Sequence, residues 1–171
     1  MTAKTSLCLV LCLALAASWA FSAEPPDAQK DSSGVAFNAG DFYLSPQVLG
    51  VTAGTTGKIA LGANAEYFLT KSVAVGGDVS FFLKSSGALS LFPDIEYHFD
   101  AHVQSLDFYV GGGPSLYVPF GSGNKALLGV KAYGAARYFF DSHTGVFAKL
   151  GLTTNGSKAG LFWAAGASFK I

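Results

Sequence analysis

From residue 41 to the C-terminus, the sequence alternates between apolar and polar or small residues with a period of two. Successive side chains of a β-strand point to opposite faces, so this period indicates strands, and no helical period interrupts it. We therefore predict an all-β fold without helices. The eight alternating segments are 41–52, 58–69, 72–84, 88–100, 105–119, 126–140, 145–154 and 159–171.

The links between these segments are short, and several are rich in glycine, asparagine and serine. Asn155-Gly156, before the last segment, is the clearest hairpin signal. Strands joined by hairpins form an antiparallel, up-and-down sheet, which exposes two edges unless its first and last strands pair. We therefore predict one domain at residues 41–171, an eight-stranded antiparallel barrel.

The charged residues indicate which face of the sheet meets solvent. They make up 13% of the chain, whereas a soluble domain usually carries roughly 25%. Within the predicted strands they all share one face with glycine, alanine and aromatic residues, and the other face is apolar. A transmembrane barrel encloses the mixed face and presents the apolar face to lipid. Leu150 is then lipid-facing, and Gly151 faces the lumen, where we expect Gly151→Ser to destabilise far less than a charge at Leu150.

The lipid-facing aromatic residues provide a second indication. If the N-terminus is periplasmic, these residues gather at the periplasmic end of the barrel, as an interfacial belt does. They are Phe42, Tyr67, Tyr97, Phe99, Phe108, Tyr138, Phe140 and Phe169.

The N-terminal residues indicate export. Residues 1–23 have the features of a signal peptide, with Lys4 before an eleven-residue apolar core at 7–17 and cleavage expected near residues 20–23. Both cysteines lie in this segment, so the exported chain holds together without disulfides. We interpret residues 24–40 as a flexible periplasmic leader.

The C-terminus carries a resemblance to a known family. Residues 164–171, AAGASFKI, resemble the assembly signal of bacterial outer-membrane barrels at Gly166, Phe169 and Ile171. With the eight strands, the chain is similar to the small outer-membrane barrels that include outer-membrane proteins A and X. This resemblance implies an outer-membrane location, insertion by the barrel-assembly machinery, and contact with outer-membrane lipids and lipopolysaccharide. We expect a monomer, because closure leaves no free edge.

Charged residues on the lumen face suggest a structural network. The acidic residues fall on predicted strands two to five and the basic ones on strands six and seven, so the two signs occupy opposite arcs of the wall. Buried charges must pair, and a narrow lumen lets them meet. We expect Arg137 to be the hub of a lower layer. The alternative is a metal site or an acid–base pair at Asp94, Glu96 and His98, which line up on the lumen face of one strand. The network comprises Glu66, Asp78, Asp94, Glu96, Asp107, Lys131, Arg137 and Lys149.

Three prolines lie inside predicted strands, Pro46, Pro93 and Pro114, and each removes a backbone donor. Pro93 and Pro114 are expected to face each other on adjacent strands. They form either two independent bulges or a lateral seam through which a lipid enters. Lipid A palmitoyltransferase barrels are similar in using prolines this way. That family also places catalytic His and Ser at the outer end, whereas the histidines here are expected at the opposite end.

The sequence indicates no catalytic residue, metal site or cofactor, and its ligand-binding residues stay unknown. The neighbouring pair Ser142-His143 is better explained as part of a turn than as a hydrolase site. A single arginine and no basic cluster argue against nucleic-acid binding. We expect a non-enzymatic outer-membrane protein with a structural role or a role in small-ligand or lipid interaction. The alternatives are a lipid-modifying or lipid-binding barrel and an adhesin-like surface module.

Overall fold

The chain closes into a barrel in which each strand pairs with its sequence neighbours and β8 pairs with β1. The computed structural model describes residues 37–53, 56–83, 87–99, 105–121, 125–155 and 158–171. Within these ranges no helix is long and apolar enough to cross a bilayer. The strands are β1 (Phe42–Ala53), β2 (Thr56–Phe68), β3 (Val73–Phe82), β4 (Ala88–Phe99), β5 (Leu106–Pro119), β6 (Leu127–Phe139), β7 (Thr144–Asn155) and β8 (Lys158–Lys170).

The eight predicted strands and their antiparallel order are confirmed, with bounds that shift by up to two residues. The first hairpin is tighter than expected, because Ala53 pairs directly with Thr56 and two residues connect the strands. The predicted signal peptide, residues 1–23, lies outside the described residues.

The register of the strands sets the dimensions of the barrel. Followed from strand to strand, the pairing that starts at Phe42 returns to β1 at Thr52, ten residues further along. With a rise of about 3.3 Å per residue and strands about 4.8 Å apart, this stagger tilts the strands by about 40°. The path runs through Tyr67, Val75, Ile95, Gly112, Ala132, Leu152 and Leu161.

The two faces of the wall have opposite polarity. Lys149 on β7 is buried in the lumen, whereas the next residue, Leu150, is 65% exposed on the outside. Large apolar side chains stand exposed along the outer face of the strands, and the buried polar side chains point inward. This polarity is the reverse of a soluble barrel, in which the interior is apolar.

Most of the exposed aromatic residues lie at the end of the barrel that holds Phe42 and Lys170, here called the terminal end, whereas Phe81, Phe120 and Trp163 lie towards the opposite end. Phe42 pairs with Tyr67, and Phe99 pairs with Phe108, so the belt runs from strand to strand. The opposite end, here called the distal end, holds the connections β1–β2, β3–β4, β5–β6 and β7–β8.

The end of the expected leader contacts the barrel through the side chain of Phe37 and the backbone of Gly40. Phe37 is buried in the terminal mouth and stacks on Phe68, with ring centroids 4.2 Å apart. The Gly40 amide donates to the Phe68 carbonyl at 2.8 Å. The expected flexible leader therefore ends before Phe37, because this aromatic side chain buries its surface in the mouth of the barrel. Residues 24–36 lie outside the described residues.

The β4–β5 ladder is interrupted where prolines oppose each other. Backbone pairing between β4 and β5 ends at Leu91↔Leu116 and resumes at Ile95↔Gly112. The same register places Pro93 opposite Pro114. Neither residue has an amide donor for the ladder. Both prolines are exposed on the outer face, and paired residues continue on either side of them.

A shorter interruption lies next to Pro46 in the β1–β8 ladder, between Leu44↔Phe169 and Gln47↔Gly166. On the lumen side of this break, the Ser45 Oγ donates to the Ser168 Oγ at 3.0 Å. Among the described strands, prolines therefore lie at breaks in both the β4–β5 ladder and the β1–β8 ladder.

Replacement of Leu150 by arginine should lower the free energy of unfolding by about 2–4 kcal/mol, as arginine does at the bilayer midplane in other barrels. Leu150 lies in the middle of β7, opposite Gly134 and Trp163. Urea titration in lipid vesicles measures the change.

The matched control is Leu150→Phe, which keeps an apolar side chain at the same site and should change stability little. Equal losses for the two variants would contradict the assignment of the lipid face. Gly151→Ser is not a suitable control, because a Cβ at Gly151 would collide with the Ala132 carbonyl oxygen and lie 2.7 Å from the Tyr133 Cβ.

Candidate functional site

The lumen contains buried ionisable side chains between two clusters of apolar residues. The cluster at the terminal end consists of Phe37, Tyr43, Phe68, Ala74 and Phe139. The second cluster extends towards the distal end and consists of Leu49, Ala60, Phe82, Ala88, Phe92, Tyr109, Tyr133, Phe162 and Ala164. Side chains therefore fill the interior, as is usual for eight strands.

Arg137 on β6 spans the lumen to Glu66 on β2, four strands away around the wall. Its Nη2 donates to both oxygens of the Glu66 carboxylate at 2.5 Å, and both side chains are fully buried. Asp107 lies further away, with its Oδ2 4.0 Å from the Arg137 Nε. The guanidinium also lies over the rings of Tyr43 and Tyr109, at 5.3 and 5.1 Å from their centroids. Arg137 therefore holds one carboxylate firmly and touches a second only at the limit of an ion pair.

A second layer joins β4, β6 and β7. The Lys149 Nζ donates to the Glu96 Oε1 at 3.2 Å and to the Tyr133 hydroxyl at 3.4 Å. The Tyr133 hydroxyl lies 2.5 Å from the Asp94 Oδ2 and also contacts the Glu96 carboxylate. The Tyr133 hydroxyl thus contacts the carboxylates of both Asp94 and Glu96, and the Lys149 ammonium group binds that of Glu96. Because Tyr133 lies between them, Lys149 does not have to extend as far as Asp94.

His98 connects the two layers. Its Nδ1–H donates to the Asp107 carboxylate at 3.0 Å, and its Nε2 lies 3.7 Å from the Glu96 Oε2. The ring stacks on Tyr109 with centroids 4.7 Å apart, and that contact fixes its orientation. Through His98, the Arg137 layer and the Lys149 layer form one connected set of charges.

Two of the eight residues expected in the network stand outside it. Asp78 accepts a hydrogen bond from the Gln47 Nε2 at 2.7 Å. Lys131 is 5% exposed, and its Nζ has no hydrogen-bond partner among the described residues. The ammonium group lies instead over the ring of Phe92, 4.5 Å from the centroid, and near the ring of Phe162. The other six residues, Glu66, Asp94, Glu96, Asp107, Arg137 and Lys149, lie in the connected set.

The Ser142–His143 pair lies in an exposed turn at the terminal end. The Ser142 Oγ and the His143 Nδ1 are 2.7 Å apart. Asp141 does not orient the imidazole; its Oδ1 accepts hydrogen bonds from the backbone amides of His143 and Thr144. The pair therefore belongs to a capped turn and lacks the geometry of a catalytic triad.

Across the described ranges, no group of three His, Cys, Asp or Glu side chains is arranged to hold a metal ion. His98 lies in the lumen and His143 in the exposed turn, whereas His102 falls outside the described residues.

The residues of the expected assembly signal lie on or just after β8. Gly166 pairs with Gln47, and a Cβ there would lie 3.0 Å from the Gln47 Cα. Phe169 pairs with Leu44, and the Ile171 amide donates to the Phe42 carbonyl at 2.9 Å. The three positions therefore lie along the closing seam between β8 and β1.

Four residues outside the predicted charge network complete the lumen, and of these only His98 was a candidate site residue in the sequence. Gln47, His98 and Tyr133 bind the expected charges, and Phe37 covers them at the terminal end. The period of two in the sequence places Gln47, His98 and Tyr133 on the lumen face, so the direction of these side chains could be predicted. Phe37 precedes the first strand and carries no such signal.

Solved structures with this fold include bacterial outer-membrane proteins and designed transmembrane barrels. The N-terminal β-barrel domain of Pseudomonas aeruginosa OprF has a TM-score of 0.61 and 17% identity, over 75% of this chain and 97% of that one. Neisserial surface protein A has a TM-score of 0.61 and 13% identity, over 78% and 98%. Pseudomonas aeruginosa OprG has a TM-score of 0.54 and 12% identity, over 81% and 99%. These neighbours are eight-stranded outer-membrane β-barrels, and at such identities the likeness concerns the fold.

No protein-family model matches the sequence, and no curated protein matches it significantly. The likeness therefore rests on the arrangement of the strands.

Replacement of Arg137 by methionine should lower the free energy of unfolding by roughly 3–5 kcal/mol, because it leaves Glu66 buried without its cation. Lys131→Met is the matched control on the same strand and the same face. It removes a cation that holds no carboxylate, so its effect should be much smaller. Urea titration in detergent micelles measures both variants, and similar losses for the two would contradict the pairing.

Proposed function

We propose that the chain is an integral protein of the bacterial outer membrane, with a closed barrel that conducts neither ions nor solutes. The observation that carries this proposal is the reversed polarity of the wall. Leucine, valine and aromatic side chains cover the outside, while a buried Arg137–Glu66 pair crosses the inside. In water such an exterior would aggregate, whereas in a bilayer it is solvated by lipid.

A non-enzymatic role agrees with the fact that the buried carboxylates of the lumen are already paired with cationic side chains. The buried carboxylates Glu66 and Glu96 are bound by Arg137 and Lys149, so they serve the interior of the barrel. Apolar clusters lie on both sides of these charges. A pore would need a continuous polar path through both clusters.

The orientation follows from export. A signal peptide at residues 1–23 would deliver the chain to the periplasm, where the assembly machinery would bind Gly166, Phe169 and Ile171. The terminal end then faces the periplasm and the distal end faces outward. Since β8 pairs with β1 on both sides of the interruption at Pro46 and closes the barrel, a monomer is the expected state.

A second candidate is a lipid-binding barrel with lateral access between β4 and β5. The observation that favours it is the interruption at Pro93 and Pro114, two outward-facing residues without backbone donors. An adhesin-like role has less support, because the distal connections between the strands span only two to seven residues.

The exported protein should fractionate with outer membranes and migrate differently on detergent gels before and after boiling, because a closed barrel resists unfolding by detergent. Reconstituted vesicles should exclude small sugars as well as protein-free vesicles do. Recovery as a soluble periplasmic protein without detergent would refute membrane integration, and rapid sugar entry would refute a filled lumen.

The double variant Pro93→Val, Pro114→Val restores two backbone donors at the interruption. If lipids enter there, fewer phospholipids should remain bound to the purified variant, as counted by native mass spectrometry. Pro46→Val is the matched control at the other interruption. Equal lipid counts in the wild type and both variants would exclude lateral access between β4 and β5.

A further inference from the structure

Polar atoms without hydrogen-bond partners gather in the middle of the lumen, on the wall formed by β1 to β4. The side chain of Asn64 on β2 is fully buried, yet neither its amide nitrogen nor its amide oxygen has a partner among the described residues. A buried amide in this state costs free energy, so such groups in folded proteins are usually satisfied by protein atoms or by water. Other buried atoms of this kind in the same region are Gln47 Oε1, Ser80 Oγ, Asp94 Oδ1 and Lys131 Nζ.

Strand pairing and one hydrogen bond bring the side chains on β1, β2 and β3 together. Asn64 pairs with Asp78 on β3, and the Gln47 Nε2 donates to the Asp78 Oδ1 at 2.7 Å. Ser80 follows Asp78 by two residues, so its side chain lies on the same face of β3. Gln47, Asn64 and Ser80 are therefore all neighbours of the Asp78 side chain.

Two glycines let oxygen atoms of this region lie close against the wall. A Cβ at Gly62, which pairs with Gln47, would lie 2.5 Å from the Ser80 Oγ. A Cβ at Gly76 would lie 2.9 Å from the Asp94 Oδ1, so the Asp94 carboxylate leans from β4 over β3. The side chains that share this region are here called the polar cluster: Gln47, Asn64, Asp78, Ser80, Asp94 and Lys131.

Lys131 reaches the polar cluster from β6, across the lumen. Its Nζ lies 4.5 Å from the centre of the Phe92 ring, and Phe92 pairs with Asp78. The carboxylates of Asp78 and Asp94 attract the ammonium group electrostatically, but over the described ranges the Nζ has no hydrogen-bond acceptor. Polar groups that attract each other without direct contact are commonly bridged by water.

We propose that the polar cluster binds internal water, which bridges Lys131 to Asp78 and Asp94. The cluster has six unpartnered atoms, and at about three hydrogen bonds per buried water they engage about two water molecules. Water suits this set because it donates to the oxygens of Gln47 and Asp94 and also accepts from the ammonium group. A metal ion would bind the oxygens but would leave the Lys131 ammonium without an acceptor.

The bound water extends the connected set of charges. Asp94 already belongs to that set through the Tyr133 hydroxyl. Water shared between Asp94 and Lys131 therefore adds Lys131 and Asp78 to it. The inference goes beyond the proposed function and leaves the lumen closed, because the apolar side chains of Leu49, Ala60, Phe82 and Ala88 follow on the distal side of the polar cluster.

Nuclear magnetic resonance detects such water in the folded barrel. With isotope-labelled protein in deuterated detergent micelles, the side-chain amide protons of Asn64 and Gln47 should show nuclear Overhauser effects to water, with the sign of a long-lived complex. The control is the indole N–H of Trp163, the one tryptophan from residue 24 onwards, which is 44% exposed on the lipid-facing side of β8. This group should show no such effect.

The variant Asn64→Leu tests the energetics. Leucine resembles asparagine in shape but holds no water, so Lys131 and Asp94 lose bridged partners and the urea midpoint in micelles should fall. If the Asn64 amide instead lacked any partner, the loss of its desolvation cost would raise the midpoint. Ser115→Ala is the matched control, because the Ser115 Oγ is also buried and unpartnered among the described residues but lies beside Gly129, outside the polar cluster. Its midpoint should stay the same or rise.

The absence of a water signal at Asn64 would overturn the proposal, and so would a higher urea midpoint in Asn64→Leu. A lower wild-type midpoint after sodium in the buffer is replaced by choline would assign the polar cluster to a bound cation instead. Gel migration before and after boiling shows whether each variant folds, and the wild-type water signal decides if Asn64→Leu does not. Sugar entry into vesicles reports on the closed lumen separately, so a failed water site differs from a failed proposed function.

Discussion

The pairing of β8 with β1 closes the sheet into a barrel and leaves none of its strands at an edge. A sheet in a lipid environment has no water to satisfy free backbone groups, so every strand needs two neighbours. With eight strands and a stagger of ten residues, closure leaves an interior that side chains fill. The polarity of the wall and the arrangement of the charges both follow from that geometry.

Because the lumen is narrow, buried charges on distant strands pair across the barrel. This pairing offsets the free-energy cost of burying each charge and links opposite parts of the wall. Arg137 and Glu66 come from opposite walls, and Lys149 and Glu96 from strands three apart. Each pair links wall segments that are distant along the sheet, in a site with little water to compete. Replacing such pairs with apolar residues can be neutral for stability. The barrel nevertheless keeps its polar residues inside, because its outer face is apolar. This difference in polarity distinguishes the lipid-facing side of the wall from the lumen-facing side during insertion.

The two ends of the barrel differ in chemistry. At the terminal end, an aromatic belt surrounds the wall and Phe37 covers the lumen, with its ring 5.0 Å from that of His98. At the distal end, the connections contain no aspartate or glutamate, and Lys58 near the start of β2 donates to the Tyr117 hydroxyl across the mouth. Such asymmetry is expected of a protein that lies between two different interfaces.

The strands, their faces and the arcs of opposite charge can be read from the amino-acid order alone, because side-chain alternation is a local property of the backbone. It also placed Pro93 and Pro114 on neighbouring strands. The partners of each charge were decided only by the tertiary structure, since they depend on strand stagger and on reach across the lumen. Sequence reasoning assigned Asp78 and Lys131 to the network, but Gln47 binds Asp78 and the Phe92 ring lies under Lys131. Phe37 lies outside any strand period, so only the folded barrel brings it to the mouth that it fills.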